Sequence, residues 1–304
     1  NNTHYVDITG ENIWVRDLID KHHEEAEKKG IKIIPSCGYD SIPSDMGCFY
    51  LQRSLGENLL SVDGYHRGGG GVSGGTIESA FTMKNYKTNY SIGHPFLLNS
   101  KDFIEKQNKE ASKDTFKIKY INSIKSWSAP FVMSIANTRV VRRSVELHEL
   151  NQSGYGSDFT YKEFMNVKKY STALMVSIGL AILGLMIISP ISSLFRKLFT
   201  KPGNGPDKKT RDNGWFESIF IGKNTNNEFY KLRIYGDGDP GYKTTAKFIC
   251  ESALCLVKSD GYLENTNKGG VLTTATGLGD HLIKRLKNAD ILFEGPEKIA
   301  KTIT

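Results

Sequence analysis

The sequence predicts an α/β protein: the C-terminal part of a βαβ sheet domain, followed by an α+β second domain with an inserted hydrophobic membrane-associating segment. Three observations predict it. Strand, helix, strand, loop and helix patterns succeed one another over residues 1–58. From residue 59 to residue 304 the pattern changes to β-rich segments with turns. Within that second part, the 25 residues from Ser171 to Phe195 carry no charge.

Tyr5 to Ile8 read as a short buried strand. Asn12 is a plausible N-cap, and Trp14, Leu18, Ile19 and Ala26 mark an amphipathic helix. That helix ends at Lys28-Lys29-Gly30, with glycine in the C′ position. Ile31 to Pro35 form the next strand. Gly38 to Gly47 are a loop leading into a helix over Met46 to Leu55. Two strands are too few for an independent sheet. The chain is therefore expected to be the C-terminal two-thirds of a longer protein.

In the second part, Val62 to His66, Ser79 to Met83 and Arg139 to Val145 are expected strands, and Gly68 to Gly75 a glycine-rich loop. Lys201 to Gly214 form a polar linker. Phe216 to Ile221 and Glu228 to Tyr235 read as a hairpin, and Thr244 to Val257 as an apolar helix. Leu272 to Thr274 are a short strand or turn, and Gly279 to Asn288 an amphipathic helix.

A hydrophobic content of 38% and a charged content of 24% exclude a disordered chain and a polytopic membrane protein. The net charge is +7. Its Lys and Arg form no dominant tract, so nucleic acid is not an expected partner. Cys37, Cys48, Cys250 and Cys255 form no C-x-x-C pair, which argues against a zinc site or a disulfide framework. Cys250 and Cys255 read as core thiols.

The uncharged stretch Ser171 to Phe195 is long enough to cross a hydrocarbon core. Lys168 and Lys169 precede it; Arg196, Lys197 and Lys201 follow. Cations on both flanks give no orientation, and Gly179, Gly184 and Pro190 allow a bend. A full span, an insertion into one leaflet and a buried core helix all stay open, with membrane contact expected.

Two stretches match G-x-G-x-x-G: Gly69, Gly71, Gly74 and Gly236, Gly238, Gly241. Physics opposes both as dinucleotide loops. Asp237 and Asp239 would repel a pyrophosphate, and Pro240 removes a donor. The first match has no expected helix start after it.

The most distinctive stretch runs from Ser36 through Cys37-Gly38-Tyr39-Asp40-Ser41-Ile42-Pro43-Ser44-Asp45 to Gly47. It resembles the signature (C/S)-G-(F/Y)-D-S-(I/V)-P-(S/A)-D-(L/M)-G of the saccharopine-dehydrogenase-like oxidoreductases, which are similar to the trans-acting enoyl reductases of lipid biosynthesis. Tyr5-Val6-Asp7-Ile8-Thr9-Gly10-Glu11 resembles that family's Y-x-D-(L/I)-T-G-E turn, and His23-Glu24 with Ala26 its intervening helix. Ser73-Gly74-Gly75-Thr76 resembles its S-G-G-T loop, and Val140-Val141-Arg142-Arg143-Ser144 its V-V-R-R-S strand. Gly241-Tyr242 and Gly269-Gly270-Val271 resemble its last blocks, so the likeness runs end to end. Two departures stand out. The family's G-A-(S/T)-G-(F/Y)-T-G phosphate loop is not in the sequence, and Thr274 replaces a common proline. The resemblance implies that residues 1–58 are a remnant of a Rossmann-type NAD(P)-binding domain, and residues 59–304 an α+β substrate or dimerisation domain.

Ligands bind at the C-terminal ends of strands in open α/β sheets. Asp7, Thr9, Gly38, Tyr39, Asp40, Ser41 and Pro43 are therefore expected to line a cofactor or substrate crevice, and Ser73, Gly74, Gly75 and Thr76 a substrate loop. Ser44 and Asp45 read as helix caps. Arg142 and Arg143 alternate faces on a strand and read as solvated. No general acid or base and no metal site is expected. The resemblance implies NADP or NAD as cofactor and a lipid-type substrate from glycolipid metabolism. It also implies a cytosol-facing site at a lipid droplet, endoplasmic reticulum or mitochondrial membrane, with a homodimer left open. A non-catalytic membrane-associated scaffold and a soluble saccharopine reductase are the alternatives.

Overall fold

The computed structural model describes residues 2–56, 58–71, 74–83, 86, 88–150, 155–156, 158–196, 205–259 and 263–300. Strand β1 (Tyr5–Val6) leads through helix α1 (Asn12–Lys28) into β2 (Lys32–Ile34), which runs parallel to β1 with Tyr5 beside Ile33. Helix α1 ends as its sequence predicts, with Gly30 at φ +67°. Its N-cap is Glu11 rather than Asn12. The Asn12 amide instead donates to the carbonyls of Ile135 and Ala136. β1 is shorter than expected, and Tyr5 is exposed rather than buried.

Helix α2 (Ile42–Leu55) begins four residues earlier than the pattern suggested, because Pro43 suits a first helical turn. It lies across a seven-stranded sheet. The strands are β3 (Leu59–Gly69), β4 (Lys119–Ile121), β5 (Ser126–Pro130), β6 (Thr160–Val167), β7 (Trp215–Asn224), β8 (Phe229–Asp237) and β10 (Leu292–Ile299). Their order is β10-β8-β7-β3-β6-β5-β4, antiparallel except for the β3–β6 pair. The expected hairpin is β7–β8. At Gly47 a Cβ would fall 2.5 Å from the Phe220 ring, so only glycine lets α2 approach the sheet this closely. Strand β9 (Gly270–Val271) pairs parallel with β2 and completes a small sheet, β1-β2-β9. One core, including Ile34, Met46, Leu51, Val62, Phe220, Phe248 and Leu282, draws on both sides of position 58.

The remaining helices are α3 (Gly74–Thr82), α4 (Lys101–Glu105), α5 (Ser134–Leu150), α6 (Tyr170–Ile188), α7 (Ser192–Arg196), α8 (Lys208–Asp212), α9 (Thr245–Lys258), α10 (Thr274–Gly277) and α11 (Gly279–Asn288). Two expected strands are helices. Ser79 to Thr82 belong to α3, with Met83 in the turn that follows, and Arg139 to Val145 lie in α5. Buried side chains occupy every face of α5, so no apolar stripe marks it as a helix, and its valines mimic a strand. Arg142 and Arg143 are buried there, not solvated. Arg142 donates to the carbonyls of Pro95, Ser112 and Tyr161, and Arg143 pairs with Glu146 at 2.9 Å. Cys255 is buried as expected. Cys250, five residues earlier on α9 and so on another face, is exposed.

Among the described residues, α6 alone is long and apolar enough to cross a membrane, with a mean hydropathy of 2.3. It stops at Ser189, which the following Pro190 holds in an extended conformation. The first four residues of the linker 201–214 lie outside the described residues, and α8 forms in its second half.

Candidate active site

The turn after β1 and the turn after β2 meet at the C-terminal rim of the small parallel sheet, and Asp7 joins them. Its Oδ1 accepts from Thr9 N at 2.8 Å and from Ser36 N at 3.0 Å, while its carbonyl accepts from Cys37 N at 2.7 Å. Ser36, at φ +63°, returns a hydroxyl bond to the Thr9 carbonyl. The rigid corner that results is where ligands bind in open α/β sheets. The Asp7 Oδ2 atom is buried and accepts no hydrogen bond from the described residues.

A cavity of about 690 Å³ opens on this corner. Of the eleven residues expected at a site, it takes in Asp7, Thr9, Gly38, Asp40, Gly75 and Thr76. Glu11, Asn12, Ser79 and Thr245 complete its polar side. Its apolar lining comes from Ala80 of α3 and Met83 just after it, Val132, Met133 and Ile135 at the start of α5, and Ile187 from α6. Such a space suits a ligand with a polar end and a hydrocarbon end. A larger cavity, about 810 Å³, lies among Phe49, Gln52, Arg53, Lys268 and Asp280 and holds none of the expected residues.

Four expected residues point elsewhere. Tyr39 packs its ring edge-on against Phe216 with centroids 5.1 Å apart, and burial raises its phenol pKa far above the ordinary value. Ser41 is buried and donates to Asn137 Oδ1 at 3.3 Å. Pro43 sits in the first turn of α2, and Gly74 opens α3 without lining the cavity. Ser73 lies outside the described residues. Neither Ser44 nor Asp45 caps its own helix. Asp45 is buried and accepts from the Ser144 and Thr274 hydroxyls and from Ala275 N, so it ties α2 to α5 and to the first turn of α10, whose own N-cap is Thr273.

Two carboxylates give the cavity its electrostatics. Burial raises the Asp40 pKa from 3.8 to about 6, and the negative charge of Glu11 adds to the effect. Burial acts on Glu11 in the same direction. Hydrogen bonds from the Ser79 and Thr9 hydroxyls and from backbone amides overcome it, and the Glu11 pKa falls below its ordinary value. Glu11 is the residue that sequence reasoning passed over. Its signal was the T-G-E triplet, in which a carboxylate two residues beyond a threonine can close a turn and still face the ligand side. Behind the signature loop, Ser41 binds Asn137, which donates to buried Glu163 at 2.9 Å. Burial pushes Glu163 up to about 7.

Among the described residues, neither glycine-rich match forms an open phosphate cradle. Contrary to the sequence expectation, a helix does begin at Gly74, the last glycine of the first match. A Cβ at Gly70 would nevertheless fall 2.7 Å from Asp239 Cβ, so Asp239 packs directly against the described start of that loop. In the second match, Asp239 accepts from Tyr242 N at 3.0 Å and Lys243 N at 2.9 Å. These are the amides that a phosphate would need.

No family model matches the chain. A Mycobacterium tuberculosis protein named provisionally as a trans-acting enoyl reductase is 30% identical over 322 residues, covering 96% of this chain and 74% of the relative. The trans-acting enoyl reductase of Mycobacterium bovis is 28% identical over 321 residues, with 96% and 73% covered. That of Mycobacterium ulcerans is 28% identical over 320 residues, with 95% and 73% covered.

Proposed function

This chain belongs to the trans-acting enoyl reductase family, and on that premise we propose that it is a nicotinamide-dependent oxidoreductase reducing a lipid-type acyl substrate at a membrane or lipid-droplet surface. The observation that carries the reading is the cavity that Asp7, Glu11 and Asp40 line together with an apolar wall of Ala80, Val132, Ile135 and Ile187. The resemblance to saccharopine-dehydrogenase-like oxidoreductases remains part of it.

The residues present fit a nicotinamide ring. Thr9 and the Gly10 and Gly38 backbone lie in the turns after β1 and β2, Asn12 opens α1, and a Cβ at Gly10 would meet nothing within 4 Å. A pyrophosphate finds no open cradle among the described residues, since Asp239 packs on Gly70 and already accepts from the Tyr242 and Lys243 amides. A bound nicotinamide would supply hydride. The chain's own residues do the rest. The apolar wall holds an acyl chain and excludes water, Glu11 fixes the rim, and Asp40 carries a proton below about pH 6. In the reduction of an enoyl group, hydride goes to one alkene carbon and a proton to the other. Asp40 is the proton carrier that faces the cavity.

The test is to add NADPH or NADH and a 2-enoyl thioester to the protein and follow nicotinamide absorbance. Consumption that falls at least tenfold in Asp40→Asn supports the reading. Neither cofactor binding nor consumption with any acyl length would overturn it. The occupied Tyr242 and Lys243 amides favour one second reading, a membrane-associated scaffold on a dehydrogenase fold, which predicts that outcome.

A further inference from the structure

The apolar helix α6 is solvated in a way water cannot satisfy. Met175, Ile178, Ile182 and Leu185 are 64%, 52%, 50% and 65% exposed, and at its end Ile188 is 72% exposed. Only Ala173 of its 19 residues is buried. An apolar surface of this extent needs a partner. At about 1.5 Å per residue the helix is roughly 28 Å long, enough for a bilayer core. Length alone therefore does not say whether it crosses.

Its attachments do. At one end the Tyr170 ring packs on Trp127 of β5 with centroids 5.0 Å apart. At the other end Ile187 lines the cavity. Beyond the break at Pro190, Arg196 of α7 donates to Glu78 of α3 at 2.7 Å. Between these anchors Val176, Leu180, Leu183 and Ile187 are half-buried. Their spacing of three and four residues puts one stripe of α6 against the body. A helix held at both ends and along one side cannot cross a bilayer unless the body enters it as well. Lys168 and Lys169 before the helix and Arg196 after it then sit on one side, where lipid headgroups would meet both.

From these contacts we infer that α6 lies within a single leaflet, its outer face in lipid, and that the cavity opens into that leaflet beside Ile187. An acyl chain passes from the lipid phase along α6 into the apolar half of the cavity without crossing water. The second part of this inference rests on the proposed reductase activity; the first does not.

The experiment uses the whole protein on phosphatidylcholine–phosphatidylserine vesicles. Cys250→Ser removes the exposed thiol, leaving Cys37, Cys48 and Cys255 buried. Met175→Cys, Ile182→Cys and Ile188→Cys, each labelled with a fluorophore, are quenched by lipids brominated at different depths. One shared shallow depth is expected. Depths that pass through the bilayer centre from Met175 to Ile188 overturn the inference in favour of a span. Labels that no lipid quenches, with the protein self-associated, overturn it in favour of a protein partner.

Ile178→Glu tests the entry route, because Ile178 faces away from the cavity. Turnover of a long-chain enoyl substrate held in vesicles should fall at least tenfold, while a short soluble one is reduced at the original rate. Unchanged turnover of both sinks the route. If the unmodified protein reduces neither substrate, the reductase reading fails, and the quenching depths still decide how α6 lies.

Discussion

Glu11 and Asp40 line one cavity, and the charge held on Glu11 helps to keep a proton on Asp40. The pair is asymmetric by construction. Glu11 has hydroxyl and amide donors and ionises easily. No hydrogen bond among the described residues offsets the burial of Asp40. Environments that separate two neighbouring carboxyl groups in this way assign them different roles. Glu11 is the fixed charge, and Asp40 is the group able to exchange a proton near neutral pH.

That asymmetry predicts a pH-dependent gain from Asp40→Asn. The folded protein binds the Asp40 proton up to about pH 6, whereas the unfolded chain releases it near 3.8. The stability tied to the neutral carboxyl is complete below the lower value and is lost as the pH rises through the upper one. Asp40→Asn should therefore stabilise the protein by about 1–3 kcal/mol near pH 7.5 and have little effect near pH 4. Urea unfolding at the two pH values checks it. Equal effects at both would show that the carboxyl is not held neutral by its surroundings.

Glu163 gives a second titration with a different partner set. It accepts from the Tyr161 hydroxyl at 2.7 Å and the Asn137 amide at 2.9 Å. His66 lies 3.6 Å away but is neutral, since burial lowers its pKa to about 3. Burial raises Glu163 from 4.5 to about 7, so its contribution is present below 4.5 and lost as the pH climbs through 7. Wild-type stability should decline between about pH 4.5 and 7, and Glu163→Gln should flatten that decline. Glu163→Ala, which leaves the Tyr161 and Asn137 donors unpaired, should cost about 2–4 kcal/mol. Thermal melts across that range decide it; a slope that Glu163→Gln does not change would rule out Glu163 as its source.

Local patterns in the sequence made much of this legible. The α1 pattern with Gly30, the β7–β8 hairpin and the amphipathic α11 carry their periodicity in plain view. Asp7 and Asp40 could be placed at one crevice because two strands followed by turns put both on one sheet edge. What escaped depends on contacts distant in sequence. α5 reads as a strand because every face of it is covered, so no stripe distinguishes it. Asp45 looks like a cap for its own helix, yet its partners lie at Ser144, Thr274 and Ala275. The Glu11–Ser79 bond spans 68 residues, and no local spacing encodes it.

The Asp7 corner yields the last prediction. Asp7 Oδ1 is the common acceptor for Thr9 N and Ser36 N, one from each rim turn. Asp7→Ala removes that acceptor and leaves two amides to find water, at about 1–3 kcal/mol. It should also loosen the placement of Asp40, lowering acyl turnover at least tenfold. Asp7→Asn keeps an oxygen at the same position and should restore most of the stability. If Asn restores stability and turnover together, Asp7 acts as the joint between the turns. If it restores stability alone, the charge on Asp7 acts within the cavity as well. Equal loss in both variants would mean that the joint is not what holds the two turns, and hydrogen exchange at Thr9 and Ser36 would then be unchanged by either substitution.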